Sequence, residues 1–324
     1  MGLDLLVVGD ANPDILVAGA PEVPPFGQAE TLVDSGTLAL GGSAAIVAHG
    51  AARLGLATAL VAMVGRDAAG DFMLDTLSAA GVDISGCVRH DTLPTALTVC
   101  LNRPDGDRAI LTAPGCLPAF GPEHLRPARA RHVHSASYFL QPRLGPALPG
   151  FFEAARAAGS TTSLDTNDDP SGRWRLAPGL LEACDFVLPN ETEALALSGA
   201  AAMPGALAFL AARGATPVVK CGGRGAVTPA VSAVPPAAGP LVDTVGAGDS
   251  FDAGFLAGWL ASGDLGRSLA LGCACGSLST RGIGGTATQA TAAEAAELAQ
   301  AVKVRSADAQ SPVNRSLTRA TCAL

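Results

Sequence analysis

Apolar residues along this chain come in two alternating rhythms. The short continuous apolar run "LDLLVVGD" (3–10) reads as a buried parallel strand and "ATALVAMVG" (57–65) as the next, and the strand rhythm recurs in "RHVHSAS" (131–137), "STTSLD" (160–165), "CDFVLPN" (184–190) and "TPVVKCG" (216–222). Between them, small and apolar residues recur at helical spacing in "GGSAAIVAHGAARLG" (41–55), "DFMLDTLSAAG" (71–81), "FFEAARAAG" (151–159) and "ALAFLAARG" (206–214). Strand, helix, strand at this rhythm predicts an α/β fold: a doubly wound, mostly parallel sheet flanked by helices. Two segments break the rhythm. Residues 15–40 and 95–113 alternate as antiparallel strands do, with "PDGD" as a hairpin turn, and predict a small β-strand lid on the sheet. No repeat or interdomain linker stands out, so residues 1–303 read as one domain and the polar residues 304–324 as a flexible tail.

Composition narrows the function. With 48% hydrophobic but only 4% aromatic residues, the core must be built from Ala, Val and Leu. A net charge of −8, with two lysines and nineteen arginines, argues against a nucleic-acid partner, and no basic amphipathic stretch points to a membrane. The start, "MGLDLLVVGD", has no positive n-region, so no signal peptide is expected. Eight scattered cysteines, with Cys273 and Cys275 the one close pair, read as buried free thiols of a cytoplasmic protein.

The candidate chemistry lies in "DTVGAGDSFDAGF" (243–255). A short strand to Val242, a glycine turn and a helix from about Ala247 to Leu260 would present the amides of Gly246, Ala247 and Gly248 as an anion site. Asp249 then falls in the first helical turn. One reading is a favourable charge at a helix start, worth several tenths of a kcal/mol. The other is phosphoryl transfer: the amides hold a γ-phosphoryl group while the acid, kept a weak base by the dipole, takes a hydroxyl proton. Neither GxxxxGK[ST] nor a strand-linked GxGxxG occurs, which leaves out the usual NTPase and dinucleotide routes, hydride transfer included.

This stretch closely resembles the second signature of the ribokinase-like (PfkB) carbohydrate kinase family, and the resemblance runs to about residue 300. It implies that Asp249 is the catalytic base and "GAG" the anion hole. "LPNETEALALSG" is similar to the family's N-x-x-E element, which implies that Asn190 and Glu193 organise Mg2+ and phosphate through water; a capping box is the plain alternative. "VVKCGGRGA" resembles the nucleotide-holding strand and turn, with Gly222 and Gly225, and Lys220 would reach a phosphate or solvent. "LGCACGSLSTRGIGG" resembles the helix behind the adenine, with Gly272 facing the base. Many members bind a monovalent cation, and Asp243, the carbonyl of Val245 and the 282–286 turn match such a K+ site.

On the acceptor side, Asn12 and Asp14 match residues that grip sugar hydroxyls. Gly41, Gly42 and Ser43 open the first signature, where glycines admit the sugar or simply allow close packing. Ile46 stands where the family commonly has an Asn, which puts a plain ribokinase in doubt. In "SLDTNDDPSGRW", Asp165 or Asn167 would touch acceptor or phosphate, or only shape a turn; His132 and His134 read as core. The resemblance implies an ATP- and Mg2+-dependent kinase acting on a hydroxymethyl group of a small sugar or sugar-like alcohol. A nucleoside kinase, with Ile46 and Phe26 near the base, and a non-catalytic sugar sensor are the alternatives. Open lid edges would allow a homodimer.

Overall fold

A computed structural model describes residues 2–103, 107–126 and 129–306. Six parallel strands form the central sheet, numbered in chain order: β1 (Leu3–Val8), β4 (Thr58–Val61), β9 (Ala130–Ser135), β10 (Thr161–Leu164), β11 (Phe186–Val187) and β12 (Thr216–Pro217). Their order is β12-β11-β10-β9-β1-β4. Both faces are covered, which is why β1, β4 and β11 are mainly apolar, while β9 and β10 bury His132, His134, Thr162 and Ser163 between them. Leu5 and Val7 of β1 point to one core, with helices α1 (Ser43–Arg53), α2 (Ala68–Ala79), α6 (Ala247–Ser262) and α7 (Leu265–Ser279). Leu6 and Val8 point to the other, with α3 (Leu148–Ala157), α4 (Glu191–Ser198) and α5 (Met203–Ala211). The last helix, α8 (Ala292–Ala299), packs on α7. Strand order reverses between β1 and β9. In open α/β sheets the crevice for a ligand lies at such a reversal, beyond the carboxyl ends of the strands.

Three smaller sheets complete the fold. Strands β5 (Met63–Gly65) and β6 (Val88–His90) form a parallel pair. A four-stranded sheet of order β3-β2-β7-β8 joins β2 (Asn12–Ala18), β3 (Ser35–Gly41), β7 (Leu97–Asn102) and β8 (Arg108–Ala113). It was expected to be antiparallel throughout, yet β2 and β7 run parallel. The chain between them passes through α1 and α2, a long crossover of the kind parallel neighbours need. Strands β7 and β8 pair antiparallel from Leu97↔Ala113 to Asn102↔Arg108; residues 104–106 of the "PDGD" turn lie outside the described residues. The third sheet, β13 (Val219–Lys220), β14 (Ala226–Val227), β15 (Val231–Val234) and β16 (Lys303–Ser306), is antiparallel.

Two boundaries differ from the sequence reading. The tail expected from 304 instead starts as β16, paired with β15 through Ser306; residues 307–324 lie outside the described residues. No strand precedes the glycine turn. The amides of Val242 and Asp243 both donate to the Thr280 carbonyl after α7, and Leu241 and Val242 face solvent.

Gly225 carries the β13–β14 corner. It has φ +92°, and a Cβ there would lie 1.9 Å from the Ala233 carbonyl oxygen of β15. Gly225→Ala is therefore expected to cost about 2 kcal/mol or more in urea unfolding. Gly223→Ala, where a Cβ meets nothing within 4 Å, should stay near wild type.

Candidate active site

The N-terminus of α6 opens into the crevice. Gly246 caps it at φ +70°, and a Cβ at Gly246 would come 2.5 Å from the Gly285 Cα, so the turn requires glycine. The Ala247 amide donates to Thr244 O at 3.3 Å, while helix geometry leaves the Gly248 N–H without an intrahelical partner. Asp249 follows, buried in the first turn. The helix dipole would favour its ionised form, and the sequence reading made it a weak base on that ground. Burial and the charge of Asp165 prevail instead and push its carboxyl up to about 7, against the lowering effect of Lys220.

The sequence reading sent Lys220 to a phosphate or to solvent; below the turn it instead pairs with buried acids. Its Nζ lies 2.6 Å from Asp165 and 3.0 Å from Asp252, both buried. A Cβ added to Gly248 would sit 3.5 Å from that Nζ, so the ammonium lies directly beneath the glycine turn. Burial works to lower the Lys220 pKa, but the carboxylates of Asp165, Asp252 and Glu193 outweigh it and raise it. Burial drives the Asp252 carboxyl well above the usual range. Oxygens of Asp165, Asp249 and Asp252 fall within 4.8 Å of one another, the donor set of a divalent-cation site. Lys220 already occupies the Asp165–Asp252 side of it. Asn190 and Glu193 form the capping box of α4: Glu193 N–H donates to Asn190 Oδ1 at 2.9 Å, and Asn190 N–H to Glu193 Oε2 at 2.8 Å. Burial and the Asp165 charge push Glu193 up to about 7.

Strand β2 carries the acceptor candidates. Asn12 Nδ2 donates to Thr98 Oγ1 at 3.0 Å, and its Oδ1 is buried without a partner. Asp14 lies over Gly41, where a Cβ would stand 2.2 Å from its Cγ; burial and the charges of Asp10, Asp249 and Asp243 push its pKa up to about 7. Gly42 precedes α1, whose first amides, Ser43 and Ala44, donate to the Asp10 carboxylate at 3.2 and 2.9 Å. The Ser43 hydroxyl faces Asp249 and helps stabilise its charge. It also accepts from Asn167 Nδ2 at 2.9 Å, and Asn167 Oδ1 accepts from the Ser137 amide at 2.7 Å. Asn167 and Ser137 both hold positive φ, 53° and 56°. Asp10, Asp252, Thr98 and Ser137 were not singled out from the sequence. Asp252 had a signal, since an acid three residues after Asp249 shares its helix face.

Other candidates land elsewhere. Gly272 faces α6, not an open base site: a Cβ there would meet the Phe251 ring at 2.9 Å. Ile46 is buried with its Cδ1 against Gly285, and Phe26 is 93% exposed, so neither shapes a base pocket. Gly222 is open on its turn. Asp243 accepts from Val245 N–H at 3.0 Å and from Gly284 N–H at 2.9 Å, tying the anion turn to the 282–286 turn. His132 and His134 are buried in hydrogen bonds to Thr161 and Ser163.

A six-stranded parallel sheet with a glycine-turn helix over a buried carboxylate cluster defines an α/β phosphotransferase of ribokinase-like fold. The family model for the pfkB family carbohydrate kinases matches residues 3–292, and the chain belongs to that family. It is 34% identical over 278 residues to an ATP-dependent ribose-1-phosphate kinase of Halopiger xanaduensis, covering 83% of this chain and 89% of that one. It is 31% identical over 301 residues to a fructokinase of Klebsiella pneumoniae, covering 86% and 93%. Arabidopsis thaliana ribokinase, solved with ribose and ATP, superimposes with a TM-score of 0.79 over 93% of this chain and 99% of that one at 24% identity, a likeness of fold. The chain is a carbohydrate kinase, and ATP and Mg2+ are expected for its family. Among the described residues no single helix is long and apolar enough to cross a membrane, and seven cysteines are free.

The raised Asp249 carboxyl makes a stability prediction. Protonation favours the folded state; that stabilisation is full below the ordinary 3.8 and is lost as pH rises through about 7. Asp249→Asn, neutral throughout, should gain on the order of 1–3 kcal/mol over wild type in urea unfolding between about pH 5 and about pH 8. A pH-independent difference would contradict it. Gly272→Ala should lose about 1–3 kcal/mol by crowding Phe251 while the KM for ATP stays unchanged.

Proposed function

We propose that the protein transfers the γ-phosphoryl group of ATP to a hydroxymethyl oxygen of a small sugar or sugar-like alcohol, with Asp249 as the base. The observation that carries this reading is the buried Asp249, pushed up to about 7, one residue after the glycine turn that opens α6. Such a carboxylate can accept a proton near neutral pH and return it when product leaves. Asn12 and Asp14 orient the acceptor, the unpartnered Asn12 Oδ1 being free to accept from a sugar hydroxyl. The amides of the Gly246–Gly248 turn hold the charge that develops on the transferred group, while Lys220 beneath them holds Asp165 and Asp252. Ser43, held by Asn167, keeps Asp249 aimed.

The donor set fits Mg2+, because Asp165, Asp249, Asp252 and Glu193 crowd around one lysine, and a cation there would draw the raised carboxyls of Asp249 and Glu193 into their ionised form. Glu193 and Asn190 would hold it through water, and it would neutralise the ATP phosphates. Gly222 and Gly225 would shape the nucleotide side. The β3-β2-β7-β8 sheet acts as a lid that excludes water, a competing acceptor. Its outer strands β3 and β8 leave edges on which a second copy could pair to form a dimer. The names of the two relatives point to ribose 1-phosphate and fructose as acceptor types.

The test is ADP release from Mg-ATP with ribose, ribose 1-phosphate, fructose, ketogluconates and nucleosides, beside Asp249→Asn. Turnover on a sugar or sugar phosphate is expected to fall by about 10³-fold or more in the variant. Acceptor-dependent turnover unchanged by the substitution would remove Asp249 as base. Tight sugar binding without turnover would favour a sensor.

A further inference from the structure

The family's monovalent-cation position does not fit this chain in the usual way. Both oxygens of Asp243 are engaged by backbone, Oδ1 by Val245 N–H and Oδ2 by Gly284 N–H. A guanidinium stands beside them: Arg108 Nη1 lies 3.9 Å from Asp243 Oδ1. Arg108 is the first residue of β8, the outer strand of the lid sheet. Across that sheet Asp14 pairs with Thr98, Thr98 with Thr112 and Asn102 with Arg108. Alternate residues of a strand share a face, so Arg108 lies on the face that carries Asn12 and Asp14. Asp243 is only a tenth exposed, and its position two residues before Val245 makes it the anchor of the turn that sets the Gly246–Gly248 amides. An uncompensated carboxylate there would oppose an incoming phosphate. A cation beside it removes that opposition, and here the cation belongs to the outer strand of the lid sheet.

We propose that Arg108 is a built-in replacement for the monovalent cation: the outer lid strand sets its guanidinium against Asp243, where it offsets the carboxylate that anchors the glycine turn. This rests on the kinase reading above. A free K+ is then not needed, because a second cation near Asp243 would be repelled by the first.

The experiment compares wild type, Arg108→Ala and Arg108→Lys in KCl and in choline chloride at equal ionic strength, by melting temperature and by kcat/KM for the acceptor. Wild type and Arg108→Lys should behave alike in the two salts. Arg108→Ala should lose about fivefold in kcat/KM in choline, the scale of a partly screened ion pair. It should recover in KCl, and KCl should raise its melting temperature as a ligand of the folded state does. Equal activation of wild type and Arg108→Ala by K+, or an Arg108→Ala protein indistinguishable from wild type in both salts, overturns the proposal. If no acceptor is turned over by any of the three proteins, the kinase reading fails, while the melting comparison still decides the role of Arg108.

Discussion

The site depends on one buried lysine among too many buried acids. Lys220 joins Asp165 to Asp252 at ion-pair distance beneath the start of α6, and Asp249, Glu193, Asp14 and Asp10 crowd the same crevice. Taking several carboxylates out of water is tolerable only if some are paired and others hold their protons. Hence the cluster divides: the Lys220 ammonium holds Asp165 low in spite of burial, while Asp249, Asp14 and Glu193 are pushed up to about 7. A carboxyl poised near neutrality is what a proton-accepting role needs. The cost falls on stability, as is usual where groups are arranged for chemistry instead of for packing.

The fold brings these groups together by placing strand ends. Asp10 follows β1 and meets the N-terminus of α1; Asp165 follows β10 and pairs with Lys220 of β13, which bridges to Asn190 after β11 and lies beneath the start of α6. The acceptor residues enter from a different sheet. Asn12 and Asp14 open β2, which leaves the central sheet directly after β1 and continues into the lid. The proposed acceptor residues and the proposed lid are therefore carried by one strand.

Much of this was legible in the sequence, because the signals were local. Two-sided burial writes itself as short runs of Val, Leu and Ala, and "GAGD" states a glycine turn that opens a helix with an acid in its first turn. What was not legible depends on distance. The fate of Lys220 is set by Asp165 and Asp252, fifty-five and thirty-two residues away, so no local pattern could show that its charge is spent inside the protein. The basicity of Asp249 was misjudged for the same reason: the dipole of its own helix is visible in sequence, the charge of Asp165 is not. Gly272 looked like an opening to a base because small residues read alike whether they admit a ligand or a neighbouring ring, here Phe251. The parallel pairing of β2 with β7 escaped because alternation states that a strand is half-buried, not which neighbour it takes.

The most direct test of the central claim is the titration of Asp249 itself, followed by carboxyl carbon NMR in protein labelled at aspartate and assigned with Asp249→Asn. The account predicts a midpoint near 7 in the free protein, matched by an acid limb at the same pH in kcat/KM for the acceptor. A carboxyl already ionised at its ordinary 3.8, with a rate that does not follow it, would contradict the account and return Asp249 to the role of a helix-terminal charge.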